Sequence, residues 1–102
     1  MRTIYLSGPM TGHENFNIPA FDKAAESWRT KGYAVLNPAD TARTYPGKEW
    51  SFYMKHGIRN LLAADAVAVL PGWEKSKGAT LEVQIARALQ IPIYDALTGD
   101  LL

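Results

Sequence analysis

Five consecutive residues, Ala66-Val67-Ala68-Val69-Leu70, are apolar, with no polar position offered to solvent. A strand with one wet face alternates apolar and polar residues; an unbroken run closed by a breaker pair, here Pro71-Gly72, fits a strand covered on both faces. Sheets buried on both faces are parallel and wrapped by helices, because parallel strands need crossover connections. This one run therefore directs the chain toward an α/β architecture.

The surrounding sequence supplies the other elements. Thr3-Ile4-Tyr5-Leu6 is a short β-type run ended by Ser7-Gly8-Pro9. From Pro19 to Lys31, Phe21, Ala24, Ala25 and Trp28 recur at i, i+3, i+4 and i+7, which predicts an amphipathic helix with Pro19 in its first turn and Gly32 at its stop. Tyr33 to Leu36 reads as a second strand, cut off by Asn37-Pro38, and residues 39–48 read as a loop. A second helix is expected from about Glu49 to Ala63, with Met54, Ile58, Leu61 and Leu62 on one side. A third runs from Ala79 to Leu89, its stripe at Leu81, Ile85, Ala88 and Leu89. Ile91 to Tyr94 is the fourth strand, where Pro92 is tolerated near a strand start or on an edge.

The alternation β-α-β-α-β-α-β predicts a small flavodoxin-like three-layer sandwich. Its parallel sheet would have four to five strands in the order 2-1-3-4, with right-handed crossovers and helices on both faces. No repeat, linker or low-complexity tract divides the 102 residues, so residues 1–102 read as a single domain. Open parallel sheets bind ligands beyond the carboxyl ends of their strands, where the strand order reverses. That places the expected crevice between the first and third strands, faced by Ser7 to Asn17, Asn37-Pro38 and Pro71 to Gly78.

Composition narrows the chemistry. Eleven basic and ten acidic residues leave a formal charge of +1, which predicts neither a nucleic-acid partner nor a membrane partner. With no cysteine there is no disulfide framework, thiolate metal site or cysteine nucleophile. His13 and His56 lie far apart with no matching carboxylate spacing, so no metal is expected. No apolar run approaches the ~20 residues of a membrane span, and the expected location is cytoplasmic.

The loops hold the candidate residues. Ser76-Lys77-Gly78-Ala79-Thr80 leads into a helix bearing Glu82 near its start, where free backbone N–H groups can hold an anion or a polar sugar. Ile85 and Ala86 stand at i+3 and i+4, so Glu82 has no cation there to pair with. It serves either as a crevice carboxylate or as a complement to the helix dipole. Ser7-Gly8-Pro9-Met10-Thr11-Gly12 is either a ligand-facing turn or a plain strand exit; its glycine spacing is not that of a dinucleotide fingerprint. Trp50 and Trp73 lie beside loops on the expected ligand side, placed to stack on a nucleobase or to pack against a neighbouring subunit. Asp65 reads as a turn residue on the face opposite the crevice, and Lys75 and Lys77 as a solvated rim.

Several of these stretches together resemble the nucleoside 2-deoxyribosyltransferase superfamily: Ile4-Tyr5-Leu6-Ser7-Gly8-Pro9, Asn37-Pro38, Asp65-Ala66-Val67 and Ser76-Lys77-Gly78-Ala79-Thr80-Leu81-Glu82. Asn17-Ile18-Pro19-Ala20-Phe21 and Leu70-Pro71-Gly72-Trp73-Glu74 are similar to its short branch, often carried by phages and prophages. The resemblance runs through essentially the whole chain in the same order. It implies that Glu82 is a nucleophile toward the anomeric carbon of a 2′-deoxynucleoside or deoxynucleotide. A glycosyl-enzyme ester would form and be released to a second base or to water. It implies that Tyr5 bonds and orients that carboxylate, and that Ser7, Gly8, Pro9, Met10, Asn37, Trp73, Ser76 and Gly78 surround the substrate. No cofactor is implied, and a homodimer or larger homo-oligomer is.

Two positions depart from the family pattern. The aspartate usually found on the second helix, eight residues before Asp65, is here Gly57, so a proton for the leaving base must come from elsewhere, such as Asp40 or Glu49. His56 is adjacent but about 100° around the helix. Met10 stands roughly where monophosphate hydrolases present an arginine, which favours a nucleoside over a nucleotide. Two other readings follow from the same residues: a catalytically weak module that binds or sequesters a nucleotide, and a phosphoribohydrolase acting on a modified nucleotide.

Overall fold

A computed structural model describes all residues, 1–102. Strands β1 (Thr3–Ser7), β2 (Ala34–Leu36), β3 (Ala66–Val69) and β4 (Ile93–Asp95) form one sheet in the order β2-β1-β3-β4, and every pairing between them is parallel. Helices α1 (Ile18–Thr30), α2 (Pro38–Thr44), α3 (Trp50–Ala63) and α4 (Lys77–Ala88) complete it. This is the expected α/β sandwich, with four strands. In the central pairing Tyr5 lies opposite Val67 and Ser7 opposite Val69, so β1 and β3 reach the carboxyl edge of the sheet together.

Alternation along β1 and β3 sorts the core into two halves. Ile4, Leu6, Ala66, Ala68 and Leu70 pack with Phe21, Ala24, Ala25 and Trp28 of α1. Tyr5, Val67 and Val69 pack on the other face with Leu61 of α3 and with Val83 and Ala86 of α4. All four residues of β3 are buried, as its unbroken apolar run requires. The α1 stripe also falls where periodicity puts it: Phe21, Ala24, Ala25 and Trp28 are its buried residues.

Several expectations are corrected. The stretch expected as a loop, 39–48, contains α2, which begins at Pro38. Asn37 caps it by accepting a hydrogen bond from the Ala39 N–H at 3.0 Å, and Pro38 suits its first turn. At seven residues, mostly polar, it is too short to show an apolar stripe. The helix expected at Ala79 begins at Lys77, because the Ser76 hydroxyl accepts from the Ala79 N–H. Its buried face is Ala79, Glu82, Val83 and Ala86, not the stripe of Leu81, Ile85, Ala88 and Leu89. Leu81 and Leu89 are 37% and 53% exposed. The inward face carries the smaller residues, which let α4 approach the sheet closely and carry a carboxylate in with it. On α3, likewise, Leu61 is buried but Leu62 is exposed. The last strand starts at Ile93, and the Pro92 carbonyl just before it accepts from the Val67 N–H.

Candidate functional site

Tyr5 and Ser7 are two residues apart on β1, so they project from the same face, toward α3 and α4. The inward face of α4 brings Glu82 against them. The Tyr5 hydroxyl donates to Glu82 Oε2 at 2.7 Å, and the Ser7 hydroxyl donates to Oε1 at 2.8 Å. Each carboxylate oxygen thus has one hydroxyl donor. The three side chains lie at the carboxyl end of β1, beside β3, where the reversal of strand order predicts a ligand.

All three residues are buried, with Glu82 only 5% exposed. Burial pushes the Glu82 carboxyl above its usual range, and the bonds from Tyr5 and Ser7 oppose that shift without cancelling it. No charged side chain contributes to the balance. Burial also pushes the Tyr5 phenol well up, and the neighbouring carboxylate adds to this, so Tyr5 remains a protonated donor. A carboxylate removed from water without a cation destabilises the fold it sits in, a cost of the kind concentrated at functional sites.

The wall over this carboxylate is α3. A β-carbon added at Gly57 would lie 2.5 Å from both Glu82 Oε2 and the Tyr5 hydroxyl oxygen. Gly57 is therefore more than the absence of an acid: it lets the α3 backbone close directly over the pair. The signal was present in the sequence, since an interior helical glycine costs about 1 kcal/mol relative to alanine and so points to a close approach. One turn nearer the carboxyl edge, Met54 fills the gap between α3 and α4, its sulfur 2.9 Å from where a β-carbon of Gly78 would stand. Beyond it, Lys77 Nζ lies 4.2 Å from the Trp50 ring centroid, joining the first turns of the two helices. Lys77 is exposed, as expected of a rim residue, and also holds an aromatic partner.

The remaining candidates are distributed around this centre. Gly8 permits close packing, because a β-carbon there would meet Leu70 Cβ at 2.8 Å. Pro9 is buried, and its carbonyl accepts from Asn17 Nδ2. Met10 packs, half-buried, against the α1 half of the core, and Trp73 packs, half-buried, against the other half. Ser76 and Gly78 stand at the start of α4, the serine as its cap. The Asn37 side chain is committed to the cap of α2 and to Asp22 Oδ1. Of the substitute acids considered, Asp40 pairs with Arg43 and Glu49 is exposed at the start of α3.

A separate open groove of about 560 Å³ is lined by Asp22, Glu26, Arg29, Thr30, Asn37, Asp40 and Arg43. It includes none of Tyr5, Ser7 and Glu82, has no apolar wall, and is bridged by Arg43 between Asp22 and Asp40. Arg43 thus neutralises both aspartates at the surface, whereas Glu82 has no cation beside it. No group of three His, Asp or Glu side chains is placed to hold a metal ion. No helix is long and apolar enough to cross a membrane.

Comparison with known proteins agrees with this fold. Residues 2–95 match a family described as a domain of unknown function (DUF4406). No curated protein matches the sequence. Among solved structures, the chain is similar to the 2-deoxyribosyltransferase of the psychrotolerant bacterium Bacillus psychrosaccharolyticus, with a TM-score of 0.69 and 21% sequence identity. The alignment covers 90% of this chain and 69% of that one. At this identity the likeness establishes the fold.

Proposed function

The chain belongs to the DUF4406 family, and from that premise we propose that it cleaves or exchanges the N-glycosidic bond of a 2′-deoxynucleoside or deoxynucleotide through Glu82. The observation that carries this reading is the buried carboxylate held by two hydroxyls, with no cation, at the switch point of a parallel sheet. The related fold belongs to a 2-deoxyribosyltransferase, which supports the same class of substrate.

In this mechanism a Glu82 oxygen forms a bond to the anomeric carbon as the carbon–nitrogen bond breaks, its electron pair leaving with the base. The nitrogen of a second base, or a water oxygen, then attacks the same carbon and returns the electron pair to Glu82; the attacking group gives up its proton to solvent, and solvent supplies the proton that the departing base takes up. Tyr5 stays protonated and orients the carboxylate throughout. Ser76, Gly78 and the turn from Gly8 to Met10 line the sugar side, with Trp73 at the rim. Neighbouring copies complete the pocket in a homodimer or larger assembly, for which the exposed Leu62, Leu81 and Leu89 supply apolar surface.

The test is incubation with deoxynucleosides and their 5′-monophosphates, with and without a second free base, followed by chromatography of the bases. Base release that falls by ~10³-fold or more in Glu82→Ala is expected. Release unchanged in that variant overturns the assignment. A second reading, a weakly catalytic binding module, is favoured by the sealed carboxylate and by the lack of room for any acid at Gly57. It predicts a ligand-induced thermal shift with no turnover.

A further inference from the structure

The two hydroxyls on Glu82 do different work. Strand β1 rises about 3.3 Å per residue, so Tyr5 and Ser7 leave it roughly 7 Å apart along its axis, Ser7 nearer the carboxyl edge. Oε2, bonded to Tyr5, is enclosed by the phenol and by the α3 backbone at Gly57. Oε1, bonded to Ser7, is held from the side where the strand ends and a ligand arrives.

We infer that Ser7 is a positioning residue, its hydroxyl fixing which carboxylate oxygen of Glu82 faces the ligand edge of the sheet. The inference rests on Glu82 being the reacting group. A terminal carboxylate torsion is broad and two-fold, so one donor leaves the group free to rock. A second donor, on the other oxygen and anchored at a fixed spacing along the same strand, locks its plane. Ser7 is itself locked: it is 1% exposed, and its carbonyl accepts from the Leu70 N–H at 2.9 Å, tying the end of β1 to β3. A hydroxyl is also a donor that can turn and accept, so Ser7 stays satisfied when Glu82 gains a proton. A lysine or arginine in its place would hold the carboxylate as a fixed ion pair.

The surroundings make this role separable from others. Tyr5 is the titratable side chain in contact with Glu82. The other elements packed around the pair present Gly57 and Leu61 from α3 and Val67 and Val69 from β3, none of which titrates. Loss of the Ser7 hydroxyl therefore acts on Glu82 through one hydrogen bond.

The test compares the full chain with Ser7→Ala by two readouts. The first is NMR titration of ¹³C-labelled glutamate carboxyls, with Glu82 assigned by its disappearance in Glu82→Gln. Ser7→Ala should move the Glu82 midpoint to higher pH, since it removes a bond that favours the charged form. The second is turnover. kcat should fall ~10–100-fold, with KM within about twofold of the parent and the acid limb of the kcat profile moved to higher pH. An unchanged midpoint overturns the inference, as does an unchanged kcat in an active enzyme. If the parent chain turns over no nucleoside or nucleotide, it is the reading of Glu82 as nucleophile that falls. The NMR midpoint then decides alone whether Ser7 holds the carboxylate.

Discussion

Gly57→Ala tests the close approach of α3 to Glu82, because ordinary helix physics and this structure predict opposite signs. Gly57 lies inside α3 and does not have a positive φ, so alanine should stabilise the helix by about 1 kcal/mol. The added carbon, however, would sit 2.5 Å from both Glu82 Oε2 and the Tyr5 oxygen, where a relaxed contact is about 3.5 Å. Each oxygen would have to retreat by about 1 Å, and the Tyr5–Glu82 distance of 2.7 Å could not survive that. A hydrogen bond to a charged group is worth about 1.5–3 kcal/mol, and overfilling a packed site costs about 1–3 kcal/mol. These outweigh the helical gain, for a net loss of about 1.5–5 kcal/mol. Urea denaturation followed by tryptophan fluorescence reads this directly. Gly78→Ala is the control: its new carbon comes too close only to the Met54 sulfur, part of a flexible and adaptable side chain, with Met54 Cε and Trp50 Nε1 at an ordinary 3.7 Å, and stability should change by less than ~1 kcal/mol. A Gly57→Ala chain as stable as its parent, or more so, would refute the close approach.

Two further outcomes follow from the geometry. Because burial raises the Glu82 carboxyl, the stability linked to its proton is present below the ordinary glutamate value of about 4.3 and is lost as pH rises through the raised folded value. Glu82→Gln should therefore be more stable than the parent at pH 7, each kcal/mol raising Tm by about 4–8 °C, and this advantage should vanish in calorimetry at pH 3. An Asn37→Ala chain loses the cap of α2 and a bond to Asp22; a loss of about 1–2 kcal/mol in urea denaturation is expected.

The parts of this fold that could be read from the sequence are those where one physical signal had one meaning. The short run from Ala66 to Leu70, closed by Pro71-Gly72, points to a covered strand, and the Phe21 to Trp28 stripe to a helix face. The start of α2 was hidden because a single turn or two of polar residues carries no periodicity, and only the Asn37-Pro38 pair hinted at it. On α4 two stripes competed, and the more hydrophobic one lost. Small residues on the other face allowed closer packing, and Glu82 was buried with them. The Tyr5–Glu82 contact was implied by family resemblance. That Ser7 takes the other oxygen was not legible, because it depends on where α4 settles over β1. At Gly57 the family pattern points to a missing carboxyl, whereas the property that shapes the site is the missing β-carbon.

The strand order also determines when the site can exist. The bonds from Tyr5 and Ser7 to Glu82 close loops of 77 and 75 residues, and β1, at the start of the chain, is the central strand that must wait for β3. Contacts of such separation come late, since their loop-closure entropy is spent before they return anything. During synthesis the two hydroxyls emerge first and remain without their acceptor until α4 has been made. A chain halted before α4 would hold the two hydroxyls and no carboxylate for them to bond. Assembly of the carboxylate centre and closure of the sheet-to-helix core are thus one event in the folding of this protein.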